Sequence, residues 1–125
     1  MRIAICGSPR AGKTTLALEL ARTTGWPLVH TDDLVALGWS GVSAEVVRLL
    51  TEAPDLIVEG VAVVRGLRKA LAAAPGPPVD RCIVLEAPRV ALTPGQRAMR
   101  AGCATILAGI APELARRGVH LERPA

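Results

Sequence analysis

Residues 2–24 read RIAICGSPRAGKTTLALELARTT, and the fold is decided by the eight at its centre, Gly7-Ser8-Pro9-Arg10-Ala11-Gly12-Lys13-Thr14. They match the pattern G-x-x-x-x-G-K-[ST], with an apolar run before them and a helical pattern after them. The chain has 12 glycines and only two lysines among 15 basic residues. From that composition an accidental match is on the order of one or two in a thousand. The chemistry accounts for each residue type. A polyphosphate needs many donors at short range, and main-chain N–H groups supply them where glycines let the backbone curl. The helix that starts near Lys13 adds the positive end of its dipole. A compact ammonium fits inside such a loop where a planar guanidinium does not, so this arginine-rich chain places a lysine here. Thr14 offers a hydroxyl to Mg²⁺, a cation that prefers hard oxygen ligands. The residues expected to bind nucleotide are therefore Gly7, Ser8, Pro9, Arg10, Ala11, Gly12, Lys13, Thr14 and Thr15.

Working outward, apolar runs at 2–6, 27–33, 55–60, 81–87 and 118–123 read as strands. Helical patterns lie between them: 13–24 closed by Gly25, 43–53 with Ser43 as N-cap and Pro54 as stop, and 61–74 broken by PGPP at 75–78. Two more follow, 93–110 opened by Thr-Pro, and a short one at 112–117. The strands are continuously apolar and alternate with helices. That predicts an α/β, doubly wound parallel sheet with helices on both faces, a P-loop NTPase fold in one domain over residues 1–125.

Composition excludes several classes. Half of the 125 residues are hydrophobic, but there are two Trp and no Phe or Tyr, so the core is built of Leu, Val, Ile and Ala. The net charge of +4 comes from scattered arginines with no aromatics between them, which gives no nucleic-acid surface. Three cysteines, Cys6, Cys82 and Cys103, have no CxxC spacing and read as reduced core thiols of a cytoplasmic protein. No apolar run reads as a membrane span, so no membrane partner is expected.

GSPRAGKTT, HTDD (30–33) and LIVEG (56–60) together resemble the small P-loop kinases of the adenylate kinase and shikimate kinase kind. The likeness extends to topology modulation proteins and to phage-type nucleoside or nucleotide kinases. It covers residues 1–60 well and 80–110 more weakly, and Arg10 departs from it at a position where relatives often carry Gly. The resemblance implies five strands in the order 2-3-1-4-5, with Cys6 and Cys82 on adjacent central strands. It implies an ATP- and Mg²⁺-dependent kinase of a small molecule, most readily a nucleoside or nucleotide. Two other readings stay open: a nucleotide-binding module or weak ATPase that regulates a partner, and a kinase of the shikimate or sugar type.

In this fold class the loops after the strand C-termini build the site. Asp32 is the expected base or hydroxyl ligand, with Asp33 beside it as substrate ligand or helix cap. Glu59 is the expected acid for Mg²⁺, directly or through water, or for substrate. His30 reads as a supporting histidine. A short lid around 87–100 carries Arg89, Arg97 and Arg100; Arg97 and Arg100 share a helix face and are the expected partners of the transferring phosphoryl group. On the acceptor side stand Trp39, in a loop where it stacks on a ring or packs on a helix, and Arg65, placed to hold a substrate phosphate.

Overall fold

A computed structural model describes residues 1–124. The five strands are β1 (Arg2–Gly7), β2 (Leu28–His30), β3 (Leu56–Glu59), β4 (Arg81–Leu85) and β5 (His120–Glu122). All pair in parallel in the order β2-β3-β1-β4-β5. The helices are α1 (Lys13–Thr24), α2 (Gly38–Glu52), α3 (Val63–Ala73) and α4 (Pro94–Arg116). The doubly wound α/β expectation holds, strand order included.

Alternation along β1 divides the core between the two faces of the sheet. Ile3 and Ile5 join Ile57 and Ile83 under α1, where Ala17, Leu16 and Leu20 meet them. Ala4 and Cys6 join Val58, Cys82 and Val84 under α2, α3 and α4, packed by Val46, Leu67 and Leu107. Both strand cysteines are fully buried, with Sγ atoms 3.8 Å apart across β1 and β4. The contact with Cys82, followed by burial, pushes the Cys6 thiol well above its ordinary range.

Two helices differ from the sequence reading. After β2 the chain enters a 3-10 stretch, Thr31–Leu37, and α2 begins at Gly38 rather than at 43. Ser43 is no N-cap. It is buried inside α2, and its hydroxyl donates back to the carbonyls of Trp39 and Ser40, the local bonding that lets serine sit within a helix. Gly41 permits the early start, because a Cβ there would lie 2.8 Å from the Cβ of Leu37. Thr31–Glu52 is also long and apolar enough to cross a membrane by length and composition, although the separate runs in the sequence did not read so. Its inner side, Val42, Val46 and Leu50, is buried.

The pair of helices expected at 93–110 and 112–117 is the single α4, which runs through Pro112. The proline costs one main-chain hydrogen bond, and the ends of the helix are held by other means. Thr93 and Gln96 exchange side-chain and backbone bonds at the start. At the far end Arg117 donates to the carbonyls of Leu71, Ala74 and Gly76 and so clamps the C-terminus of α3.

Candidate active site

The turn from β1 into α1 is shaped by backbone that only certain residues adopt. Gly7 has φ 126° and Gly12 φ 90°. A Cβ on Gly7 would lie 2.1 Å from the carbonyl oxygen of Leu85, so β1 and β4 approach this closely only with glycine. The N–H of Ser8 donates to that same oxygen at 2.9 Å and fixes where the loop leaves the sheet. The loop therefore curls over the N-terminus of α1, whose first residues have no side-chain cap. The N–H groups of a helix's first turn have no partner within the helix, so this end is suited to an anion.

Lys13 lies inside this loop, 7% exposed, and its Nζ donates to the Ser8 carbonyl at 2.5 Å. Burial pulls its pKa below the ordinary 10.5, opposed chiefly by the negative charge of Glu59. Glu59 ends β3 and is 3% exposed. Its Oε1 accepts from Thr14 Oγ1 at 3.2 Å and meets His30 Nδ1 at 2.6 Å. The parallel register explains the meeting: His30 of β2 lies level with Glu59 of β3, next to β1. His30 thus orients the acid that faces the loop.

A cavity of about 500 Å³ opens above the loop. Arg10, Lys13, Thr14, Asp32, Glu59 and Arg89 all line it. Asp32, at the start of the 3-10 stretch, also lines a second cavity of about 230 Å³ toward α2, and so marks the junction of the two. A third, of about 340 Å³, lies beyond Gly12 and Arg89, against Leu16, Leu85 and Pro124.

The arginines are distributed otherwise than their sequence spacing predicts. Arg89 crosses the loop: its N–H donates to the Arg10 carbonyl at 2.8 Å, and a Cβ on Gly12 would lie 2.6 Å from its guanidinium carbon. Arg97 lines none of these cavities and donates to the Leu92 carbonyl. Arg100 faces a separate hollow of about 160 Å³ with Ser8, Glu86 and Cys103. The extended segment before Pro94 brings position 89 across the loop, while the first turns of α4 leave 97 and 100 outside the cavity above it. Asp33 is exposed and lines none of the three cavities. Trp39 lies in the first turn of α2, not in a loop, and forms one wall of the smaller cavity. The Arg65 guanidinium stacks 4.6 Å from the centre of its ring and lines neither cavity. Gln96 and Met99 of α4 complete the larger cavity. Sequence reasoning passed over both, since an amide and a thioether on a helix carry no signature.

Among the described residues no cluster of three or more His, Cys, Asp or Glu could hold a metal. Thr14 and Glu59 nonetheless suit Mg²⁺. That ion keeps several waters, takes one or two protein oxygens, and completes its shell with substrate phosphate.

No protein-family model and no curated protein matches the chain. Among solved structures it is similar to the shikimate kinase from Aquifex aeolicus, at 16% identity and a TM-score of 0.58, covering 98% of this chain and 85% of that one. It is also similar to the shikimate kinase from Acinetobacter baumannii, solved in complex with shikimate, at 18% identity and a TM-score of 0.51, covering 99% and 83%. The likeness is one of fold: a parallel sheet in the order 2-3-1-4-5 with the P-loop NTPase architecture.

Proposed function

We propose that the protein is an ATP- and Mg²⁺-dependent phosphotransferase that phosphorylates a hydroxyl of a small molecule. Residues 1–125 would act as one unit with a short lid, in a cytoplasmic setting. The observation that carries this reading is the convergence of the phosphate loop, Glu59, Asp32 and Arg89 on one cavity, with a second cavity opening at Asp32.

In this reading the triphosphate tail lies in the loop. Its nucleoside end occupies the hollow between Leu16, Leu85 and Pro124, on the side of Arg89 away from the acceptor. Lys13 leaves the Ser8 carbonyl for the β and γ phosphates, which return the electrostatic stabilisation that burial takes from its charge. Mg²⁺, when bound, neutralises charge on the phosphates. Thr14 and Glu59 would hold it, with His30 fixing the carboxylate. Asp32 accepts the hydrogen bond of the acceptor hydroxyl. As the acceptor oxygen bonds to the γ-phosphorus, the bond from that phosphorus to the β–γ bridging oxygen breaks, and ADP carries away its electron pair. The hydroxyl proton passes to Asp32. Arg89 faces the charge on the transferring group.

The test is ADP release measured with and without a panel of hydroxylated acceptors, together with calorimetry of Mg·ATP. Acceptor-dependent release is the expected result. A second reading, a nucleotide-binding module with slow ATPase activity, draws on the exposure of Arg89 and of the short segment that carries it. Release that is slow and indifferent to every acceptor would decide for it. A folded chain that takes up no magnesium nucleotide would end both.

A further inference from the structure

The two cavities that meet at Asp32 differ in charge. Arg10, Lys13 and Arg89 line the one above the loop. No basic side chain lines the one toward α2, whose walls are Val35, Val42, Val61, Met99 and Trp39. Its polar groups are Asp32 and Thr31. Arg65, which sequence reasoning placed to hold a substrate phosphate, is engaged on Trp39 and does not reach the lining. An anionic acceptor would have to lie among apolar side chains beside the Asp32 carboxylate, without a counter-charge. Both the desolvation and the like-charge contact oppose it.

Thr31 adds a second observation. It is 3% exposed, and its Oγ1 is the buried side-chain oxygen or nitrogen without a hydrogen-bond partner among the described residues. Gly60, at φ 140°, packs so closely that a Cβ there would lie 1.8 Å from this oxygen. A buried hydroxyl left unpaired is costly, and Thr31 lines the cavity, so a rotation of its side chain that turned Oγ1 from Gly60 toward a polar atom of a bound molecule would satisfy it. Trp39 supplies a flat apolar wall of the kind on which rings settle, and the Arg65 guanidinium holds that indole in place.

We propose that the acceptor is an uncharged, ring-bearing alcohol. Its ring lies against Trp39 among Val35, Val42 and Met99, a polar ring substituent pairs with Thr31, and its hydroxyl is presented at Asp32. This rests on the kinase reading and narrows it: of the acceptor classes suggested by resemblance, the nucleoside type and other uncharged rings fit, and the nucleotide type does not.

The experiment uses matched pairs that differ only in charge: thymidine with thymidine 5′-monophosphate, and benzyl alcohol with 4-(hydroxymethyl)benzoate. A Trp26→Phe protein leaves Trp39 as the sole indole, and its fluorescence is titrated with each compound. The titration is run both with a non-hydrolysable Mg·ATP analogue and with no nucleotide, so that the cavity is tested even if the loop binds nothing. At least one neutral compound is expected to shift Trp39 emission at about one-tenth the concentration its charged partner needs, and to accelerate ADP release. Equal or tighter binding of the charged partners overturns the inference. So does silence of Trp39 toward all four. If the nucleotide analogue still raises the melting temperature in either case, the kinase reading survives the loss.

A gain-of-function variant gives a second route. Val35 is 75% exposed and lines the cavity, so Val35→Arg leaves the core intact and adds the missing cation. It is expected to move the preference about tenfold toward the charged member of each pair. An unchanged order of preference in this variant counts against the cavity as the acceptor site.

Discussion

The two sides of the site are built from different materials. The phosphate loop is a backbone device: its path is set by Gly7 and Gly12, and it is fastened to β4 through the Leu85 carbonyl. The proposed acceptor side is made of side chains, its outer wall on a 3-10 stretch and the first turn of α2, where Asp32, Val35 and Trp39 are all exposed. A backbone site is rigid and tolerates few sequences, because each φ value and close approach excludes most residues. A side-chain site on a lightly packed segment can be rewritten position by position while the fold beneath it stands. In the proposed kinase the handling of ATP would fall on the first kind of surface, and the choice of acceptor on the second.

The strongest challenge to that division is to remove one charge from each side. Lys13→Met is expected to weaken Mg·ATP binding by about a hundredfold or more, as read by calorimetry. The nucleotide-free protein should melt no lower than the parent, because a buried ammonium opposes folding. The pH dependence follows the same sign. Burial holds the Lys13 pKa below 10.5, so the folded chain sheds this proton first. Stability without nucleotide should then rise with pH from the folded-state pKa up to 10.5, while nucleotide affinity falls through the same window. The chain has no tyrosine and one other lysine, but its three cysteines also ionise in this range, so the Lys13 contribution is the difference in slope between the parent and Lys13→Met. A difference of zero would remove Lys13 as its source.

On the other side, Asp32→Asn is expected to keep the nucleotide affinity within about twofold and to lower acceptor phosphorylation by roughly 10²- to 10⁴-fold. Full activity in this variant removes Asp32 from the mechanism. Equal loss of nucleotide binding in both variants would mean that the two sides are not separable.

Gly7→Ala probes rigidity. The added Cβ meets backbone, the Leu85 carbonyl, at a positive φ, so β1 and β4 must part or the loop must shift. A loss of about 3 kcal/mol in chemical denaturation is expected, at the upper end of what single strained positions cost. A loss under about 0.5 kcal/mol would show the loop to be adaptable and narrow the contrast with the acceptor side.

The same contrast explains what could be read before any coordinates. The alternation of strands and helices, α1 and the loop were legible because their residues answer to local rules: Gly25 at positive φ closes α1, and Gly12-Lys13-Thr14 has one common use. The sheet order came from the resemblance, since no local rule carries it. Asp32 and Glu59 were placed in one crevice from their positions at strand ends, and the parallel register of β2 and β3 brings His30 to Glu59 as well. What failed depended on where side chains turn in space. The start of α2 was missed because Gly38 and Gly41 read as loop residues, while Gly41 leaves steric room beside Leu37 and Gly38 takes a φ of 71° where the 3-10 stretch passes into α2. Arg97 and Arg100 are three apart on α4, yet neither lines the cavity above the loop, and Arg100 instead lines a separate hollow with Gly7 and Ser8. Arg89, in an irregular segment with no period to read, is the residue that reaches it. Arg65 had the right neighbourhood and the wrong partner, because a guanidinium–indole stack leaves no trace in spacing.

Arg10 offers the finest test of the loop as a backbone device. It has φ 61°, and no other non-glycine residue among those described has a positive value. Its side chain is exposed and lines the large cavity, and its carbonyl accepts from the N–H of Arg89. The left-handed conformation costs a residue with a Cβ about 1 kcal/mol, which Arg10→Gly relieves. Glycine in turn gives the unfolded chain more freedom, worth roughly 0.5–1 kcal/mol in the opposite direction. The two nearly cancel, so the melting temperature should move by no more than a degree or two. The lost positive charge should slow nucleotide association a few-fold at low salt and hardly at all at high salt. That pattern makes Arg10 a steering charge on a loop that holds its own shape. A destabilisation above about 1 kcal/mol, with no change in association rate, would instead make the Arg10 side chain a strut, and the loop would depend on side chains as the acceptor side does.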